Sequence, residues 1–165
     1  ARCKRVKCPA ELVAGTIKLV GTHRFPTPDF ASYAGATTAM GQELLNPPSV
    51  EGWHTGREWI NGGTLNERVN FAVNELGDAT KPGVKALIDR LTAEGASLAP
   101  EEFVDGCLDL VGPLTVSSET RDRLIRYAES RGELRFGTEG DREESEARVV
   151  RMLQLIVATR EYQFA

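Results

Sequence analysis

Residues 46–61 read NPPSVEGWHTGREWIN, and this short stretch concentrates side chains able to do chemistry. It holds both tryptophans of the chain, one of its two histidines, and Glu51, Arg57, Glu58 and Asn61. Two carboxylates flanking aromatic rings form the set that cleaves a glycosidic bond. One protonates the leaving oxygen and the other acts as base or nucleophile. His54 joins them as a further candidate group on such a substrate. Without catalysis, the same residues describe a polar ligand site. Trp53 or Trp59 would be its platform, with Glu51, His54, Arg57, Glu58 and Asn61 as hydrogen-bonding groups. A third reading is purely structural: Trp53, Trp59 and Ile60 plug the loop onto neighbouring helices, their indole N–H groups bonded to carbonyls.

Other chemistries find no support. The sequence has no Gly-x-Ser-x-Gly, His-Glu-x-x-His, phosphate-loop or dinucleotide-binding glycine pattern. His23 and His54 are far apart, and Cys3 and Cys8 lack a second cysteine pair, so no metal cage is expected and no cofactor is implied. With three cysteines there is no disulfide framework. Cys3 and Cys8 could close a short loop. The simpler expectation is free thiols, with Cys107 a small core residue.

The elements that must position the 46–61 segment read as helices. Pro9 opens the first, Leu12, Val13, Ile17 and Val20 recur at helical spacing, and Gly21 stops it. A second is expected from Pro28-Asp29 through Tyr33, Met40 and Leu44, ending by Asn46 because a residue before proline avoids the α region. Thr64 and Glu67 form a capping box for a third that ends at Gly77. Its apolar face is Leu65, Val69, Ala72, Val73 and Leu76. Asn66, Asn70 and Asn74 line one flank, either as a solvated face or as a cleft wall. Phe71 points away from the apolar face, which predicts a helix sandwiched between neighbours, beneath the loop for instance.

Further helices are expected over Pro82–Glu94, from Pro100 to Gly112, from Ser117 or Ser118 to Gly132, and from about Asp141 to Thr159. The last changes character along its length. Its start is highly charged, whereas Val149, Val150, Met152, Leu153, Leu155, Ile156 and Val157 surround the axis, so this half must be covered on several sides. The connector Arg131–Gly140, with three glycines and no apolar periodicity, is the expected mobile loop. No segment alternates with period two. The fold class is therefore all-α: an irregular bundle of about seven helices, with a long Trp/Pro/Gly loop between helices two and three, in one helical domain over residues 1–165.

Composition narrows the partners. The 20 Lys+Arg against 24 Asp+Glu give a net charge of −4, which provides no electrostatic footprint for nucleic acid. No apolar run approaches the ~18 residues of a membrane-spanning helix. The chain starts with Ala1 rather than Met, which reads as a fragment or a processed product.

The run from Gln42 to Phe71 resembles the C-terminal part of the bacterial domain-of-unknown-function 1800 family. The pattern is a Gln and Leu before Asn-Pro-Pro, then Val, Gly-Trp, Gly, Trp-Ile-Asn, Thr-Leu, Arg and Asn-Phe. Gln42, Leu44, Asn46, Pro47, Pro48, Val50, Gly52, Trp53, Gly56, Trp59, Ile60, Asn61, Thr64, Leu65, Arg68, Asn70 and Phe71 fit it. Lys7 to Glu11 is similar to the family's Lys-x-Pro-x-Glu helix start, and Glu161 to Phe164 to its Pro-Glu-Phe-Gln ending. His54 replaces the usual Pro, Leu45 a common aromatic, and Thr159-Arg160 a Ser-Pro. The resemblance implies the C-terminal portion of a longer exported bacterial protein, in the periplasm, on the cell surface or outside the cell. It assigns no catalytic residue.

Together these readings favour a non-catalytic helical interaction or ligand-binding module. Loop 46–61 would be its contact surface, with Glu51, Trp53, His54, Arg57, Glu58, Trp59, Asn61 and Asn70 as binding residues. The expected partners are the remainder of the parent chain, other protein subunits, or a polar or carbohydrate ligand. A hydrolase acting on a carbohydrate-like substrate through Glu51 and Glu58 is the alternative. A structural subunit of a large assembly, suggested by the all-round apolar last helix, is the third.

Overall fold

The computed structural model describes residues 5–24, 30–93 and 95–164. Within them the chain forms seven α-helices: α1 (Pro9–Leu19), α2 (Phe30–Ala39), α3 (Gly62–Gly77), α4 (Pro82–Ala93), α5 (Pro100–Val111), α6 (Ser118–Glu129) and α7 (Glu139–Val157). The all-α irregular bundle expected from periodicity is what the chain adopts. Short 3₁₀ turns occupy Thr22–Arg24, Gly56–Trp59 and Glu161–Gln163. The Cys3–Cys8 pairing and the start of the second helix at Pro28-Asp29 both involve positions outside the described residues.

Helix α7 is the centre. Val149, Met152, Leu153, Ile156 and Val157 are completely buried, and α3, α4, α5 and α6 all pack against the helix. Its all-round apolarity is therefore met by the chain's own elements. The helix begins at Glu139 rather than near Asp141, because Thr138 is the cap. Its Oγ1 accepts from the Asp141 N–H (3.2 Å), and the Asp141 carboxylate accepts in return from the Thr138 N–H (3.1 Å).

The α1–α4 crossing is close enough to require glycine. Gly21 has φ +79°, and the Gly83 N–H donates to the Val20 carbonyl at 2.9 Å. A Cβ on Gly83 would fall 2.1 Å from the Leu19 carbonyl oxygen, closer than any real side chain can come.

Two expectations are corrected here. Helix α2 stops at Ala39 instead of continuing through Leu44. Gly41 turns left-handed (φ +94°), while the Gln42 N–H reaches back to Thr37 O and the Gly41 N–H to Thr38 O, a Schellman closure. The Arg131–Gly140 connector, expected to be mobile, is anchored. Leu134–Arg135 (β2) pairs antiparallel with Ser97–Leu98 (β1). Leu134 and Phe136 are buried, and Ser145 of α7 donates to Arg135 O at 2.6 Å. Leu134 and Phe136 alternate with outward residues, a period-two signal too short to stand out among glycines.

Candidate functional site

The loop between α2 and α3 is held at both ends. At its start the Gln42 carbonyl Oε1 accepts from the Ala10 N–H of α1 at 2.8 Å, and Gln42 is buried. At its end Asn61 caps α3: its Oδ1 accepts from the Thr64 N–H, and Thr64 Oγ1 accepts from the Asn61 N–H, both at 2.9 Å. This corrects the expected Thr64/Glu67 box. Gly62 and Gly63 extend the helix upstream, so Thr64 becomes the third helical residue and answers the cap rather than providing it.

Between these anchors the loop exposes apolar residues. Leu45 adopts a left-handed conformation (φ +67°) and is 95% exposed. Val50 is fully exposed. Leu44, Leu45, Val50 and Leu65 are the exposed large hydrophobic residues among the described residues, and all lie in or beside this loop.

The polar residues of the loop serve its own geometry. The Glu51 N–H donates to Ser49 Oγ at 3.2 Å, and its carboxylate is exposed. Glu58 Oε2 accepts from the Thr55 N–H at 3.1 Å, capping the 3₁₀ turn, and lies 3.6 Å from His54 Nδ1. His54 also meets Trp59 edge-to-face, with ring centroids 6.0 Å apart. Trp59 is buried, and its carbonyl accepts from Thr64 Oγ1 at 3.0 Å. It is the plug of the structural reading. Trp53 is half-buried, and its indole N–H is buried without an acceptor. Asn70 is exposed together with Asn66 and Asn74, so that flank of α3 faces solvent. Phe71 does sandwich α3, but against Tyr33 of α2 rather than the loop, with ring centroids 6.1 Å apart at 86°.

A groove opens beside the loop's C-terminal part. It encloses about 550 Å³ between Val6, Ile60, Leu65, Val69, Ala158 and Phe164, with Arg57, Arg160 and Gln163 also on its wall. Val6, Arg57, Arg160 and Phe164 continue into a more polar basin of about 830 Å³ that includes Arg5, Glu119 and Glu161. Neither cavity is lined by Glu51, His54 or Glu58.

Behind the groove lies a buried guanidinium. Arg68 of α3 is completely buried. Its Nε donates to Gln163 Oε1 at 2.9 Å and its Nη2 to the Lys7 carbonyl at 2.8 Å, while Nη1 has no partner. Burial lowers its pKa, although an arginine stays charged. Lys7 donates to Tyr162 O at 2.8 Å and lies over the Tyr162 ring. Burial foremost, and then the charge of Arg68, lowers its pKa. Gln163 is buried too, and its Nε2 lacks an acceptor.

Of the residues singled out in the sequence, Arg57 lies on the groove wall and Trp53 is half-buried in the loop, whereas Arg68, Gln163, Arg160, Phe164 and the exposed Leu45 and Val50 were not among the expected binding residues. One signal was present: Leu65, Arg68, Ala72 and Leu76 follow helical spacing, so Arg68 stands within the apolar stripe.

These features define an all-α bundle with a solvent-facing apolar loop and an arginine-rimmed groove. Residues 1–164 match the family described as protein of unknown function (DUF1800), and the chain belongs to that family. No curated protein and no solved structure matches the chain. Among the described residues no helix is long and apolar enough to cross a membrane, and no group of three or more His, Cys, Asp or Glu side chains is placed to hold a metal ion.

Proposed function

We propose that this chain is a non-catalytic helical interaction module whose contact surface is loop 46–61, with its flanking Leu44, Leu45 and Leu65, and the groove beside it. The observation that carries this is the placement of Leu44, Leu45, Val50 and Leu65, the exposed large hydrophobic residues of the described chain. Burying a leucine or valine side chain is worth about 1.5–3 kcal/mol, so leaving Leu45 and Val50 fully solvated, with Leu44 and Leu65 partly so, makes sense when a partner covers them. The left-handed backbone of Leu45 adds about 1–2 kcal/mol of local cost at a fully solvated position, a second sign that the loop is shaped for something outside the bundle. Among the described residues the buried side-chain donors without acceptors, on Trp53, Arg68 and Gln163, belong to the loop or to the residues behind the groove.

Sugar cleavage through Glu51 and Glu58 gains no observation in its favour, since Glu58 caps its own turn and neither carboxylate faces a cavity described above. The partner is the remainder of the parent chain or another protein subunit, in a bacterial protein acting beyond the cytoplasmic membrane. The location rests on the family resemblance alone.

Photo-crosslinking tests the reading. Benzoylphenylalanine at Leu45 or Val50, in the native host, is expected to give a discrete protein adduct that Leu65→Asp abolishes. The same probe at exposed Lys85 or Glu129 is expected to give none. Adducts of equal yield at all four positions, or at none, would overturn it.

A further inference from the structure

Resting on that reading, we infer that the groove beside the loop receives an acidic peptide segment of the partner, with an apolar side chain seated between Ile60, Val69 and Phe164 and carboxylates paired with Arg57 and Arg160. Three independent features converge on this chemistry. The first is shape and polarity. The groove is walled by aliphatic and aromatic side chains, and Leu65 both lines it and belongs to the exposed apolar set, so the groove and the loop surface are continuous. An occupant that covers both is an extended chain rather than a compact small molecule.

The second feature is charge. Arg57 and Arg160 line both the groove and the adjoining basin, and neither forms an ion pair among the described residues. The other charges of the basin are largely satisfied. Arg5 pairs with Glu11, whose carboxyl it holds down at about 2. Glu119 pairs with Arg123 at 2.7 Å. Glu161 accepts from the Ser117 N–H (3.1 Å) and the Thr120 hydroxyl (2.9 Å). Two guanidinium groups facing one remaining carboxylate leave the groove's mouth positive in a protein whose net charge is −4. Opposite charge at the rim of an apolar anchor site governs partner choice and encounter rate.

The third feature is an unmet donor. Gln163 is 4% exposed and lines the groove; because its Oε1 accepts from Arg68, the amide orientation is fixed and Nε2 remains without an acceptor. That nitrogen has almost no accessible surface, so an occupant satisfies it by drawing the Gln163 side chain toward the groove, and a peptide backbone supplies a carbonyl for this at every residue. A fatty acid, which would also suit an apolar groove with a cationic rim, carries its only acceptors at one end.

The test uses the full chain and synthetic probes: a capped peptide of two central leucines flanked by glutamates, its counterpart with lysines, and dodecanoate. The acidic peptide is expected to bind, shifting the NMR signals of Ile60, Val69, Ala158 and the Gln163 side-chain amide. Binding should weaken at least tenfold in the R57E/R160E variant, which in turn should gain affinity for the lysine peptide. Both arginines are exposed, so the variant should keep its thermal midpoint, and R57Q/R160Q provides a milder pair if it does not. Equal binding of the two peptides, shifts away from the groove, no binding of the acidic peptide, or groove binding by dodecanoate alone would each overturn the inference. Crosslinking from Leu45 and Val50 separates the two claims. If it persists while the peptide result fails, the groove inference falls and the loop reading stands. If it fails as well, both fall.

Discussion

Arg68 stands where helical spacing calls for an apolar side chain, and the protein has built a polar clasp around it. The guanidinium joins α3 to the Lys7 backbone and to the Gln163 side chain, so one residue ties together segments from both ends of the described chain. No carboxylate neutralises it within ion-pair distance among the described residues. Burying a charge in this way is costly, and removing it leaves two carbonyl oxygens without donors and a large void. Arg68→Ala is therefore expected to cost about 2–5 kcal/mol in urea unfolding. Arg68→Met, which fills most of the space and removes the charge, should cost clearly less. Equal costs for the two would show that the hydrogen bonds, which both variants lose, rather than packing make the residue necessary.

At the scale of elements, capping decides where the candidate site begins. Asn61 belongs to both the loop and α3, and its reciprocal bonds with Thr64 set the direction in which the chain leaves Trp59. Asn61→Ala is expected to lower stability by about 1 kcal/mol, whereas Glu67→Ala should stay within about 0.5 kcal/mol of the parent. Thermal or urea midpoints of the two variants check this, and the opposite ranking would restore the Thr64/Glu67 box. The misreading has a physical origin. Asn-Gly-Gly looks like a turn, and two glycines are poor helix formers, yet the first turn tolerates them because the cap supplies the bonds that propensity lacks. Helices with proline at the start and glycine at the end, such as Pro9–Leu19 and Pro100–Val111, were legible almost to the residue. The β1–β2 pair was not, since two-residue strands carry no period.

The whole molecule is organised as a gradient from α7 outward. Four other helices cover the buried face of α7, while the loop ahead of α3 carries solvated leucines and a strained backbone. Amide hydrogen exchange should follow this order: slowest at Val149–Val157, fastest between Leu44 and Glu58. Rapid exchange in the second half of α7 would mean that its covering is incomplete. The sequence made the central helix and the loop legible because both break ordinary patterns, one too apolar and the other too rich in Trp, Pro and Gly. It did not make the groove legible. That cavity is assembled from Val6, Ile60, Val69, Ala158 and Phe164, contributed by three distant stretches whose meeting is a property of the packed bundle.

Val6 and Phe164 are bridged as antiparallel backbone neighbours, and the Lys7 N–H donates to the Gln163 carbonyl at 2.9 Å. The stretch from Val6 to Phe164 thus closes into a ring held without a covalent link. Drawing together points so distant along an unfolded chain carries an entropic cost on the order of 4–5 kcal/mol, and Arg68, Lys7 and Gln163 are what hold the ring shut against it. A short covalent link between the segments carrying Val6 and Phe164 is expected to reduce that cost, read as a higher urea midpoint. Such a cross-link is therefore a route to a hardier form of this fold.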